Sequence, residues 1–326
     1  MKHTIQLILG LCLAAIIIVA ACKKSSNNAT GPTQSLNQLF SGLRTTPQNL
    51  SVQAGTDTTL YGADSTILHF YPNSFMDNAG NVITSGAVNI QLIEMYKPGD
   101  MICNRTSSTA NGQLLKSGGQ IDITATMNGK EIFANKYTIG FKQSGSSTEV
   151  MSLYYGGNEN ADSFTTWTVS DNSIAGTVAA STADTGVGFG FGSGFYYFFK
   201  GCTKFHTINC DLLYNYNGQN TTISVVVPDA SFNEGNTQMF LVFPAINSVT
   251  MGDGREGYDA ATNTFTVGNH GDQMPVGVNY ELVVIANKNG QYYYYQTSGI
   301  TTNGMTINAA LAPETQWDII ARVAAL

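Results

Sequence analysis

Cys202, His206 and Cys210 stand four residues apart, and thiolate with imidazole is a donor set that holds zinc. On a helix this spacing would stack all three on one face. The residues around them instead read as loop and strand, and no fourth ligand follows, so no metal is expected. Cys202 and Cys210 could equally close a short disulfide loop in an oxidising compartment, or remain free thiols. Cys103 reads as a small buried apolar residue. Asp253, Asp259 and Asn263 share a Gly-rich loop. An EF-hand needs alternating oxygen ligands closing on Glu, and Arg255 interrupts that pattern. Glu94, Asp100, Asp122, Glu234 and Asp272 are acids of the type used in glycoside hydrolysis, but no spacing marks any two as a pair. Ser193 lacks the Gly-x-Ser-x-Gly elbow of a nucleophile, and no His is placed to serve it. The residues assemble no catalytic set and call for no cofactor, so the expectation is a protein that is not an enzyme.

Binding chemistry has more to work with. Tyr292, Tyr293, Tyr294 and Tyr295 would put two rings on each face of a strand. One pair would fill a core, and the other could present a flat platform on which a sugar stacks. Phe195–Phe199 carries the same ambiguity.

The elements that would position these residues are short strands. Thr66–Phe70, Ala87–Ile93, Gln120–Thr126 and Tyr137–Phe141 alternate polar with apolar, and turn signals such as Asn78-Ala79-Gly80 and Asn128-Gly129 punctuate them. A second series comprises Thr222–Val227, Met239–Phe243, Tyr280–Ala286, Gln291–Gln296 and Trp317–Val323, with a hairpin turn at Asn287–Gly290. No long stripe of helical period appears past residue 21. The expected fold is all-β, two tandem antiparallel (Ig-like) β-sandwiches over 46–145 and 198–326, joined by a Ser/Thr/Gly-rich inter-domain region over 146–197.

The N-terminus carries chemistry of another kind. Lys2 and His3 precede an apolar run, Leu7–Ala21, which as a helix rises about 22 Å, short of the roughly 30 Å hydrocarbon core of a bilayer. It reads as a signal segment over 1–21. The run ends Val19-Ala20-Ala21-Cys22 and turns polar at Lys23-Lys24-Ser25-Ser26. This resembles the bacterial lipobox, in which a cysteine behind small residues is acylated and becomes the new N-terminus. The resemblance implies a lipid anchor on Cys22, a flexible tether over 22–48 with at most a short helical turn, and, with Lys23 following, an outer-membrane address on either face. The start resembles lipoproteins of the Bacteroidota. Phe70–Phe75 and Asn81–Val88 are similar to β-sandwich modules of envelope proteins in that group, and distantly to ZU5-type domains, a likeness that brings no catalytic residues.

Composition bounds the partners. The 326 residues carry 15 Lys+Arg against 22 Asp+Glu, a net charge of −7, and no basic cluster, which excludes a nucleic-acid surface. With 43% hydrophobic residues the chain is no disordered polymer. The expected function is a non-enzymatic envelope protein held by its lipid, contacting a glycan or another envelope protein. The alternative is a glycan-active hydrolase or an accessory lipoprotein of a polysaccharide-uptake system.

Overall fold

Alternation of burial builds the first sandwich. The computed structural model describes residues 36–110, 112–145, 147–157, 166–169, 195–252, 257–267 and 274–326. Strand Ala87–Met95 buries Val88, Ile90 and Leu92 and exposes Ala87, Asn89 and Gln91, as one apolar face requires. It lies in an eight-stranded sheet whose main path runs Gln48–Gln53, Ala87–Met95, Gln113–Met127, His206–Leu213, Ser152–Gly157 and Thr166–Val169. Facing it are Phe195–Cys202, Tyr137–Gln143, Ile67–Phe70 and Thr58–Tyr61. Every pairing in these two sheets is antiparallel. Phe70, Ile90, Ile121, Ile139, Phe141 and Tyr197 fill the space between them.

The second sandwich opposes Tyr258–Asp259, Thr264–Val267, Ile223–Val226 and Met305–Asn308 to a five-stranded sheet. The latter runs Ser248–Gly252, Thr237–Phe243, Asn279–Lys288, Gln291–Ile300 and Ala312–Glu314. Ile223–Val226 and Met305–Asn308 run parallel, which a long crossover through the opposite sheet permits. Asn279–Lys288 and Gln291–Ile300 form the expected hairpin, with Asn289 at φ 53° and Gly290 at φ 81°. That pair of positive φ values matches the right-handed twist of the flanking strands.

Several expectations need correcting. Residues 195–213, mostly placed with the second sandwich, pair inside the first, as do Ser152–Gly157 and Thr166–Val169 from the presumed inter-domain region. Ile208 and Cys210 are buried in the first core, so the boundary falls after Leu213, not at 198. Trp317–Val323 is not a strand but part of a helix, Gln316–Ala324. Thr315 Oγ1 caps it by accepting from Asp318 N–H at 3.1 Å, and Ile319 and Val323, four apart, are its buried face. The expected tether ends in a helix of its own, Leu36–Leu43.

These two helices, called α1 (Leu36–Leu43) and α3 (Gln316–Ala324), and the short α2 (Pro98–Cys103) make a third apolar layer. Phe40 and Leu43 of α1, Met101 and Ile102 of α2, and Ile319 and Val323 of α3 pack with Phe240, Val242, Val283 and Ile285 on the outer face of the five-stranded sheet. Ile93 and Met95 of the first sandwich join the same cluster. Alternation in Ala87–Met95 stops there because both faces are covered, and Thr237–Phe243 is buried at every residue for the same reason. Residues 33–326 accordingly form one compact unit. α2 and α3 touch closely: a Cβ on Gly99 would lie 2.2 Å from the Val323 carbonyl oxygen, so only glycine fits there.

Candidate functional site

Cys22 and its flanking residues lie outside the described residues. Cys202 and Cys210 are free and fully buried, so the candidate disulfide is not formed. They belong to different strands, paired with Tyr137 and Leu153 respectively. Burial pushes the Cys202 thiol up to about 12 and the Cys210 thiol well above its ordinary value. Thiols held neutral in this way are poor metal ligands and poor nucleophiles. His206 sits apart from them, 3.1 Å from Glu131. Cys103 is buried as expected, its thiol raised to about 11 by burial and, secondarily, by Asp100.

The tyrosine platform is not formed. Tyr292 and Tyr294, on one face of the strand, are 6% exposed against the helical layer, and Tyr293 and Tyr295, on the other, pack on the second core, so neither pair is left as an outward surface. The Arg322 guanidinium lies 5.5 Å from the Tyr294 ring centroid and closes that face.

The candidate acids separate by environment. Glu94 is buried and saturated: it accepts from Gln48 Nε2 at 2.7 Å, Asp64 N–H at 2.8 Å and Thr66 N–H at 2.9 Å, a structural role. Asp122 is paired with Arg44 at 3.0 Å, and Glu234 is exposed on a loop. Asp253 and Asp272 lie outside the described residues. Asp259 accepts from Ala261 N–H and Thr262 Oγ1 within its own loop, while Asn263 donates across to the Val227 and Phe232 carbonyls of another loop. Among the described residues no three His, Cys, Asp or Glu groups gather as a metal site.

Asp100 is different, because it opens onto a groove of about 880 Å³ where the sandwiches meet. The first sandwich and α2 line it with Asp64, Lys97, Asp100, Lys142, Gln143, Ser144 and Gly145, and the second sandwich contributes Pro244–Asn247. Asn247, held at φ 51°, fixes that junction by donating from Nδ2 to the Tyr96 carbonyl at 3.0 Å and the Ser117 carbonyl at 3.3 Å. Ser108 N–H reinforces it with a 2.7 Å bond to the Val249 carbonyl.

Each lining group is positioned. Tyr96, packed against Gly119 at φ 120°, shares a 2.8 Å hydrogen bond with Thr66 Oγ1 and accepts from Lys142 N–H at 3.2 Å. Burial raises its phenol well above the ordinary value, so it stays neutral. Lys116 pairs with Glu149 at 2.5 Å, and the Lys142 ammonium lies 5.3 Å from the Tyr196 ring centroid. Asp100 accepts from Lys97 N–H at 3.1 Å; burial, and then the nearby Asp64 charge, raise its carboxyl above the ordinary range. Asp211, hydrogen-bonded to the lining residues Ser117 and Gly118 and by Asn209 Nδ2, is fully buried, and burial holds its carboxyl well above the usual range. The lining carries both donors and acceptors beside Tyr96 and Tyr197, which suits a hydroxyl-rich ligand.

Sequence reasoning missed this site apart from Asp100 and Tyr197 of the Phe195–Phe199 run. Its residues come from seven separate stretches, which begin at Asp64, Tyr96, Lys116, Lys142, Tyr197, Pro244 and Ala324, and no local spacing joins them. Comparison with known proteins adds nothing to assign it, since no family model matches the chain and no curated protein does.

Proposed function

We propose that the chain is a non-enzymatic outer-membrane lipoprotein, anchored through Cys22, that binds a glycan in the groove between its sandwiches. The observation that carries the binding half is the groove itself, a built cleft of about 880 Å³ within the size range of ligand pockets. Its Lys116–Glu149 pair, the Gln143 amide and the neutral Tyr96 phenol are held by hydrogen bonds to the scaffold. The lipobox-like start supports the anchoring half. Among the described residues no helix is long and apolar enough to cross a membrane.

Gly145 gives a clean test. It lines the groove, and a Cβ there meets nothing within 4 Å, so Gly145→Trp fills the cleft without disturbing the core. The detergent-solubilised full chain should be retarded in affinity gels by at least one of a panel of polysaccharides, and Gly145→Trp should abolish the retardation. Equal retardation of both chains would reject the groove as the site.

A second reading uses the same cleft for hydrolysis. Asp100, its carboxyl raised by burial and then by the neighbouring Asp64, is the pattern of a general acid beside a second carboxylate. Glycan cleavage lost in Asp100→Asn with binding retained would establish it.

A further inference from the structure

A second pocket, of about 510 Å³, opens on the far edge of the first sandwich. Its floor is aromatic: Phe205 packs 5.2 Å from Tyr137 and 6.2 Å from Phe75, ring centroid to centroid. Its rim is Met76 and Phe133, register partners on two short strands, with Phe133 left 37% exposed. Tyr155 forms a side wall, fixed where its hydroxyl accepts from Thr203 N–H at 3.3 Å. Exposing a large ring beside a cavity loses the favourable burial it would have elsewhere in the core.

Apart from Tyr155, the polar side chains of the lining come from one short segment, Thr203, Lys204 and His206. The Lys204 ammonium lies 5.2 Å from the Tyr155 ring centroid and, among the described residues, has no carboxylate partner. His206 holds a φ of 69°, a conformation a non-glycine residue rarely adopts, and is paired with Glu131. Such strain persists only where the surrounding structure imposes it. Glu131 is paired with the imidazole, and among the described residues Lys204 meets no carboxylate.

From this arrangement we propose that the pocket binds a small aromatic carboxylate. The ring enters between Phe133, Met76 and Phe205, where ring–ring and sulfur–ring contacts are available, and the carboxylate meets Lys204. An aliphatic acid would forgo the ring contacts, and a neutral aromatic would leave the ammonium without its counterion. This site is separate from the groove, and its failure would leave the glycan reading untouched.

The test is titration of the full chain in detergent with 3-phenylpropionate, followed by saturation-transfer NMR and calorimetry. 3-Phenylpropanol and hexanoate serve as comparison ligands. Saturable binding is expected, with ring protons receiving the strongest transfer. Lys204→Gln and Phe133→Ala, both at exposed positions, should each weaken it about tenfold, and 3-phenylpropanol and hexanoate should each bind about tenfold more weakly. Absence of saturable binding by the wild-type chain would overturn the proposal. So would equal affinity in both variants, or hexanoate binding as tightly as 3-phenylpropionate.

Discussion

Phe240 sits at the centre of the layer that joins the two sandwiches, and replacing it tests whether they are one folding unit. Its ring is fully buried on the outer face of the five-stranded sheet, 5.8 Å from the Phe40 ring in an edge-to-face arrangement. Phe→Ala at a buried site costs about 3–5 kcal/mol through lost transfer energy and the cavity left behind. The lost ring pair contributes about 0.5–1.5 kcal/mol of that kind. For a unit of this size about 1 kcal/mol moves Tm by roughly 2–4 °C, so Phe240→Ala should lower Tm by about 6–20 °C. Differential scanning calorimetry should show a single transition for the wild-type chain, because Ile93 and Met95 of one sandwich and Val283 and Ile285 of the other share that cluster. Phe265→Ala, inside the second sandwich, should move the same single transition. Two resolved wild-type transitions, only one of them sensitive to Phe265→Ala, would refute the joined unit, and so would a shift in Phe240→Ala below about 2 °C.

Asp211→Asn should stabilise the protein at neutral pH. The folded state raises this carboxyl by burial, so between the ordinary carboxylate pKa and the raised value the folded chain binds the extra proton. Its contribution is therefore fully present at low pH and is lost as pH rises through that window, at up to about 1.4 kcal/mol per pH unit. Denaturant titrations from pH 3 to 8 should show the variant gaining on the wild type as pH rises, and a constant difference would contradict the buried carboxyl. Gly99→Ala should cost about 1–3 kcal/mol, because its Cβ would meet the Val323 carbonyl; an unchanged denaturation midpoint would show that α2 and α3 are not in contact. Cys103, Cys202 and Cys210 should resist Ellman's reagent in the native chain and all react in denaturant without prior reduction. A thiol count short of these three after denaturation would indicate a disulfide.

The strands were legible because one-sided burial leaves a period of two, as Val88, Ile90 and Leu92 show. The Asn289-Gly290 turn was legible because few residues accept positive φ. The C-terminal helix was misread because Ile319, Ile320 and Val323 are β-branched, while the Thr315/Asp318 capping pair that reveals it is a weaker signal. The tyrosine run was read correctly as two-faced. What covers its second face, however, comes from α1 and α3, more than 270 residues apart in the chain. The domain boundary was misplaced for a related reason: His206–Leu213 pairs with Gln113–Met127, and long-range pairing leaves no local mark. The groove was invisible to local reading because seven separate stretches build it, and of the described candidate acids only Asp100 reaches it.

Lipid attachment at Cys22 is the claim on which the rest of the functional account depends. Growing the cells of origin with an alkyne-tagged palmitate and isolating the protein would test it directly. The account predicts label on the N-terminal peptide beginning at Cys22, and both loss of label and release from the membrane fraction in Cys22→Ala. An unlabelled wild-type protein, or a Cys22→Ala chain that stays in the membrane, would contradict it.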